Sequence, residues 1–143
     1  MKTHGSILHK LMLATFVVLA FGMIHAQSQV PALKVNIPFN FSIGSQMFPA
    51  GEYSLKTLRQ HTIILQNQGG ESVTNFFTNS VESRKASDSA KLIFHAYEGH
   101  RFLAEMWQSG SNIGQAVAKS TLEVEMAKGL EGEPIILAFA TRH

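Results

Sequence analysis

Apolar and polar residues alternate along much of the chain after residue 30. The clearest stretch places Leu33, Val35, Ile37, Phe39 and Phe41 at every second position, with polar residues or proline between them. Successive side chains of a strand point to opposite faces, so this spacing predicts a strand with one buried face. Pro38 has no backbone N–H to donate, which favours an edge position or a bulge.

Turn residues divide the next part of the chain into further short strands. Pro49-Ala50-Gly51 suits a tight reversal, because proline fixes its own φ and glycine tolerates a positive one. Residues 62–67 and 72–78 flank Gln68-Gly69-Gly70-Glu71 and form a hairpin candidate. Residues 79–90 are polar and include four serines, which predicts a loop.

A second hairpin is predicted from residues 91–97 and 101–108. If Gly99 and His100 are the two central residues of its turn, Tyr97 faces Phe102 and His95 faces Ala104. One face then carries Ile93, His95, Tyr97, Phe102, Ala104 and Met106, and the other carries Leu92, Phe94, Leu103, Glu105 and Trp107. Both faces are largely apolar, so we expect the hairpin to be covered on both sides.

The pattern changes near the C-terminus. Ser120-Thr121-Leu122-Glu123 resembles a capping box, and residues 122–128 are good helix formers followed by Gly129. We expect a helix of about two turns and then a strand over residues 135–141 that is buried on both faces. About seven or eight short strands with one short C-terminal helix predict a mainly β fold, a small antiparallel barrel or sandwich.

The first 26 residues have the features of a secretory signal peptide. Lys2 and Lys10 make the start basic, residues 11–24 are almost entirely apolar, and Ile24-His25-Ala26 fits a signal-peptidase site. A membrane helix needs about 20 apolar residues, and this run is shorter, although an uncleaved anchor is the alternative. We therefore expect residues 27–143 to form a single β-rich domain, periplasmic or secreted, with no membrane span after cleavage.

Composition narrows the functions open to this domain. Lys2 and Lys10 belong to the twelve Lys and Arg residues, so ten bases remain against ten Asp and Glu. Without a basic excess, nucleic acid is not an expected partner. The chain has no cysteine, which excludes thiol catalysis and thiolate metal sites and leaves burial to hold an exported domain together.

The histidines after residue 26 do not predict a metal site. They are His61, His95, His100 and His143, and no H-x-H or H-x-x-x-H pair occurs among them. We expect His95 to be a half-buried, hydrogen-bonded side chain beside Tyr97. The alternative is a polar contact inside a ligand pocket.

The carboxylates provide one further candidate. Glu105 interrupts an apolar stretch between Leu103 and Trp107, and a buried carboxylate must be paired or neutralised. An Arg or Lys partner at a sheet edge is the structural explanation, and a binding site is the alternative. We expect Glu123 and Glu125 to be solvated or to cap the helix.

Four blocks of the chain are distinctive in their order and spacing. They are Val35-Asn36-Ile37-Pro38-Phe39-Asn40-Phe41, Phe48-Pro49-Ala50-Gly51-Glu52-Tyr53, Lys91-Leu92-Ile93-Phe94-His95 and Phe102-Leu103-Ala104-Glu105-Met106-Trp107. In these blocks the chain resembles a family of small exported bacterial proteins of uncharacterised function. The resemblance implies an exported β-rich domain over about residues 33–126, and it implies no activity and no site residue.

Three classes of function remain. The first is an exported non-catalytic β-domain that acts by binding in the cell envelope or outside the cell, and the second is a carrier of a small apolar ligand in a barrel interior. The third, an enzyme, would need a site built from His95, Tyr97 and Glu105. We expect the first class, with no cofactor and with an envelope protein or a small apolar ligand as partner. The candidate contact residues are His95, Tyr97, Glu105 and Trp107.

Overall fold

The computed structural model describes residues 32–130 and 132–139. The signal peptide predicted for residues 1–26, His143 and the end of the predicted last strand lie outside the described residues. The protein is mainly β, as the sequence predicts. In chain order, the described elements are β1 (Leu33–Ile37), β2 (Phe41–Ile43), β3 (Gln46–Phe48), β4 (Gly51–Arg59), β5 (Thr62–Asn67), β6 (Ser72–Glu82), β7 (Ala90–Tyr97), β8 (His100–Trp107), β9 (Ile113–Val117), α1 (Thr121–Met126) and β10 (Glu133–Phe139).

Strand β6 takes part in two sheets. Its first half pairs with β5, and from Thr78 onward it pairs with β9. The first sheet has the order β1-β4-β5-β6, and the second continues β6-β9-β8-β7-β10. The β2-β3 hairpin joins the second sheet through a parallel contact between Ser42 and Phe102 of β8. The sheet does not close, so the fold is sandwich-like.

The main core lies between the inner faces of the two sheets and is rich in aromatic rings. Phe41 is almost fully buried, and its ring centroid lies 5.3 Å from that of Tyr53 and 5.7 Å from that of Phe94. Both contacts are edge-to-face, a favourable arrangement for aromatic rings. Leu65 and Leu92 are also fully buried and belong to the same cluster. Side chains of both sheets therefore meet in the space between them.

Pro38 interrupts the first predicted strand. The chain is extended from Leu33 to Ile37 as β1, an edge strand that pairs only with β4. It resumes at Phe41 as β2, which pairs with β3 and β8 in the second sheet. The predicted edge position is confirmed, but the prediction of one strand through Phe41 is wrong. The missing N–H of proline ends the first ladder and lets the chain cross between sheets.

The loop predicted for residues 79–90 is shorter than expected. Strand β6 runs on to Glu82 because β9 supplies pairing partners for its last five residues. Irregular chain then occupies residues 83–89, held by backbone hydrogen bonds from Ser83 N to Asn112 O and from Ser87 N to Ser111 O. Serine and asparagine have weak strand preference, and long-range pairing with β9 overrides it.

The predicted register of the β7–β8 hairpin is wrong by one residue at the turn. The central turn residues are Glu98 and Gly99, with φ of 46° and 85°, so Tyr97 pairs with His100 and His95 with Phe102. Two positive φ values are typical of the type I′ turn, which matches the strand twist. A bulge at Ala104 then shifts the pairing, because Phe94 pairs with Leu103 and Ile93 with Glu105.

This register changes the two hairpin faces. The inner face carries Leu92, Phe94, Leu103 and Met106, all within the main core. The outer face carries Ile93, His95, Tyr97, Phe102, Glu105 and Trp107. Tyr97, Phe102 and Trp107 are buried as well, so the prediction of a hairpin covered on both sides is confirmed.

Helix α1 and strand β10 follow the predicted order with different details. The Ser120 Oγ accepts a hydrogen bond from the Glu123 N at 3.1 Å, so the predicted N-cap is confirmed. The helix has six residues, close to the two turns expected, and it ends at Met126, two residues before the predicted end at Lys128. Strand β10 is an edge strand beside β7, and its Ile136 side chain is 56% exposed. The expected burial of both its faces is therefore wrong.

Candidate functional site

The four residues singled out from the sequence share the outer face of the β7–β8 hairpin. Alternation places His95 and Tyr97 on this side of β7, and the bulge at Ala104 brings Glu105 and Trp107 to the same side of β8. The predicted register instead separated the first two from the last two. We call this surface the outer hairpin face.

Trp107 and Glu105 form one polar contact on the outer hairpin face. The Trp107 Nε1 donates a hydrogen bond to the Glu105 Oε2 at 2.8 Å. The indole also packs against Gly114, where a Cβ atom would lie 2.7 Å from ring atoms, and the Lys91 Nζ lies 5.8 Å from the ring centroid. The expected Arg or Lys partner of Glu105 is therefore replaced by an indole N–H, which satisfies the carboxylate without a second charge.

His95 and Glu123 form a second contact, between β7 and α1. The His95 Nδ1 lies 3.5 Å from the Glu123 Oε1, and neither atom makes a hydrogen bond to the described residues. Glu123 is 4% exposed and is the one buried residue of α1. The prediction that Glu123 is solvated or caps its helix is wrong, because its side chain turns toward His95 instead of back toward Ser120.

The two partners differ in their access to solvent. The His95 side chain is 29% exposed, which confirms the expected half-burial. The expected hydrogen bond is not formed by its buried Nδ1 atom, which has no hydrogen-bond partner among the described residues. Burial raises the pKa of the Glu123 carboxyl, and electrostatic interactions with His95 and Lys119 partly oppose that rise. Removing a carboxylate from water disfavours its charged form, and nearby cations favour it.

Tyr97 closes the end of the outer hairpin face that lies nearest the turn. Its ring centroid lies 6.4 Å from that of His95 and 6.2 Å from that of Phe102. The chain returning toward β10 crosses the ring at Gly132, where a Cβ atom would lie 2.6 Å from the Tyr97 Cζ. The ring is thus held under the segment that links α1 to β10.

The chemistry available on this face is limited by these contacts. The carboxylate of Glu105 accepts from an indole, and that of Glu123 is held beside one imidazole under a helix. Within residues 32–130 and 132–139, the structure contains no group of three or more His, Asp or Glu side chains placed to hold a metal ion. The arrangement joins α1 to the second sheet through polar atoms where an ordinary core would use apolar ones.

A half-open cleft lies at one end of the sandwich, where the β1–β2 connection meets the β7–β8 turn. Its volume is about 430 Å³. Its lining comprises residues 38–42, Met47, Ala50 and residues 99–101. We call it the end cleft. None of the four candidates from the sequence lines it.

The walls of the end cleft combine apolar and hydrogen-bonding groups. The Arg101 guanidinium lies 4.8 Å from the centroid of the Phe39 ring, a cation–π contact. The Asn40 Oδ1 accepts a hydrogen bond from the Ala50 N at 3.0 Å. Phe41 and Ser42 are buried, while the Met47 side chain is 65% exposed.

Sequence reasoning missed the end cleft because its walls come from separate elements. Pro38 and Gly99 were the available signals, since the first ends β1 and the second turns β7 into β8. The backbone pairing that brings these two regions together is the parallel contact between β2 and β8. This contact pairs one residue of each strand, so it produces no repeating pattern of apolar residues from which the sequence could predict it.

No helix of the described residues is long and apolar enough to cross a membrane. Comparisons of the chain with protein-family models, with curated proteins and with solved structures found no match. The resemblance to small exported bacterial proteins therefore stays an expectation.

Proposed function

We propose that this protein is an exported, non-catalytic domain that acts by binding, and that it binds a small ligand in the end cleft. The observation that carries the proposal is a concave site of about 430 Å³ in which a guanidinium lies over an aromatic ring. Small-molecule sites are typically concave, of roughly 300–1,000 Å³, with apolar walls and a few placed polar groups.

The outer hairpin face supports the non-catalytic part of the proposal. A catalytic acid or base must reach the proton that it transfers, directly or through one water. Glu105 is bonded to Trp107, and Glu123 is buried beneath α1. Neither carboxylate is among the residues that line the end cleft.

A carrier of an apolar ligand between the sheets is the second candidate, and it has less support. The aromatic rings of Phe41, Tyr53 and Phe94 are in mutual contact where such a ligand would lie. The sheet also stays open, whereas a barrel of about eight closed strands is the usual container for one small ligand.

The proposal is tested on full-length protein expressed with its own leader and purified from the exported fraction without denaturation. Sequencing of its N-terminus should begin at Gln27. Native mass spectrometry should show a mass above that of the processed polypeptide, and denaturation should remove the excess.

Two matched variants locate the ligand. Ala50→Trp places an indole in the end cleft, and Ala86→Trp places one on the exposed loop of residues 83–89. We expect the excess mass to disappear in A50W and to remain in A86W. Equal retention in both variants, a bare polypeptide in every sample, or a second polypeptide in place of the small mass would overturn the proposal.

A further inference from the structure

The charge of the end cleft is one-sided. Arg101 is the one residue with a fixed charge among those that line the cleft. The imidazole of His100 also belongs to the lining. The described lining contains no Asp or Glu. A concave site lined by one sign of charge attracts a ligand of the opposite sign.

Arg101 is held in place and is free to bind. The ion pairs of the described residues join Lys85 with Asp88, Lys128 with Glu125 and His95 with Glu123, so none of them uses Arg101. The cation–π contact with Phe39 restrains the position of the guanidinium in the cleft. A planar fork of N–H donors in a fixed position suits a carboxylate, which it can bind through two parallel hydrogen bonds.

Asn40 adds a donor to the lining of the end cleft. Its Oδ1 is already occupied by the Ala50 N, which leaves the Nδ2 group as the part of the amide available to a ligand. The cleft thus offers donors from Arg101 and Asn40, and both match a ligand that is an acceptor.

The remaining walls are apolar. Pro38, Phe39 and Met47 line the cleft beside these donors, and Met47 is largely exposed. A methionine side chain adapts its shape to an apolar partner. A ligand without an apolar part would leave these apolar side chains exposed to water.

We infer that the end cleft binds a small amphipathic carboxylate, with the anionic group on Arg101 and the apolar part against Phe39 and Met47. This inference rests on the proposed function and specifies the class of ligand. Burial of the apolar part supplies affinity, and the guanidinium supplies selectivity for the negative charge.

The test compares octanoate, octan-1-ol and octylammonium, each below its aggregation concentration, by NMR titration of the processed full chain. Octanoate should shift the amide resonances of residues 39–42 and 99–101 in a saturable manner. Octylammonium should not shift them, and octan-1-ol should bind more weakly than octanoate.

Variants of Arg101 separate charge from shape. Arg101→Gln should weaken octanoate binding about tenfold or more, because it removes a charge-assisted pair of hydrogen bonds. Arg101→Lys keeps the positive charge but lacks the planar set of N–H donors. Its affinity for octanoate should therefore lie between those of the native protein and R101Q. Arg84→Gln, on the exposed loop, is the control and should bind as the native protein does. Dispersed amide spectra establish that each variant is folded.

The outcomes distinguish this inference from the proposed function. If all three probes bind equally and A50W blocks them all, the end cleft is a binding site and the carboxylate inference is wrong. The inference is also wrong if R101Q binds octanoate as tightly as the native protein, or if octanoate shifts none of these resonances while the purified protein retains another ligand. If no probe binds and the purified protein carries no ligand, both proposals fail.

Discussion

The two faces of the β7–β8 hairpin are both buried, but they are buried in different ways. The inner face contributes Leu92, Phe94 and Met106 to the main core between the sheets. The outer hairpin face combines aromatic rings with the Glu105 carboxylate, and a six-residue helix, whose one buried residue is Glu123, lies against it at His95. We infer that two buried faces of one hairpin can contribute differently to the stability of the fold.

The difference has a physical cause. Apolar burial contributes roughly 25 cal/mol for each Å² and needs no particular geometry, whereas a buried carboxylate costs free energy unless its partners are well placed. The pair formed by His95 and Glu123 is 3.5 Å apart without a hydrogen bond. The cover of the outer hairpin face should therefore open at a lower free energy than the core.

The largest expected effect comes from removing one buried ring on each side. Phe94→Ala on the inner face should lower the free energy of unfolding by about 3–5 kcal/mol, the usual range for a buried phenylalanine. Phe102→Ala on the outer hairpin face should cost less, although both rings are fully buried in the native protein. Phe102 lies outside the main core cluster, so we expect its neighbours to relax into the vacated space more than those of Phe94, and such relaxation reduces the cavity penalty.

Urea unfolding of the two variants measures this difference. Phe102→Ala costing as much as Phe94→Ala would show that the two faces are equally rigid and would remove the basis of the comparison. Amide hydrogen exchange supplies an independent measurement, with faster exchange expected in α1 than in β7.

A second, smaller effect comes from adding a methyl group beneath Trp107. Gly114→Ala would place a Cβ atom 2.7 Å from the indole ring, so the ring must shift, which disturbs its hydrogen bond to Glu105. Overpacking of this kind costs about 1–3 kcal/mol. Gly51→Ala is the control, because its Cβ atom would lie 3.7 Å from Tyr53, an ordinary contact.

Thermal unfolding and the tryptophan emission spectrum test this second effect. We expect a lower Tm and an altered emission spectrum for Gly114→Ala and almost no change for Gly51→Ala. Equal thermal stability of the two variants would mean that the indole is not tightly held, contrary to the structure.

Local signals predicted the elements whose cause is local. Ser120 is a small hydroxyl residue before helix formers, and it caps α1 as expected. Phe76 and Phe77 lie on opposite sides of β6, as alternation requires, and of the two only Phe76 is buried. The mainly β class follows from many such short-range patterns.

The features that were missed depend on distant residues. Nothing in residues 98–104 distinguishes a turn at Glu98-Gly99 from one at Gly99-His100, and the bulge at Ala104 then moves Glu105 and Trp107 to the face opposite Leu103. In the sequence, Glu123 occupies the glutamate position of a capping box. Its contact with His95 forms only when α1 packs against β7, which the local sequence does not show. The four candidate residues share one face only because the bulge brought Glu105 and Trp107 to the side of His95 and Tyr97.

Loss of the helix cap should have a moderate effect that is confined to the outer cover. Ser120→Ala removes the acceptor for the Glu123 N, and such changes cost about 1 kcal/mol. We expect faster hydrogen exchange in α1 with little change in the core strands. Thr121→Ala, at the exposed first position of the helix, is the control. Loss of protection spread evenly over β7 and β4 would show that cover and core unfold together.

The smallest expected effect concerns the charge of Glu123 and appears as a dependence on pH. Because burial raises the pKa of this carboxyl in the folded protein, the folded state binds more protons than the unfolded state between the ordinary and the raised pKa. Stability from this group is therefore complete below the ordinary pKa of glutamate and falls as pH rises through the raised value. His95 and Lys119 oppose the shift, which keeps the effect small.

Glu123→Gln should remove this fall, so that the free energy of unfolding changes less between pH 4 and pH 8 than it does in the native protein. Glu125→Gln is the matched control on the same helix, because Glu125 is exposed and its Oε1 lies 2.7 Å from the Lys128 Nζ. Urea unfolding across this pH range measures both variants. A steeper loss of stability with rising pH in E123Q than in the native protein would show that the Glu123 charge stabilises the cover, and the two faces of the hairpin would then differ for another reason.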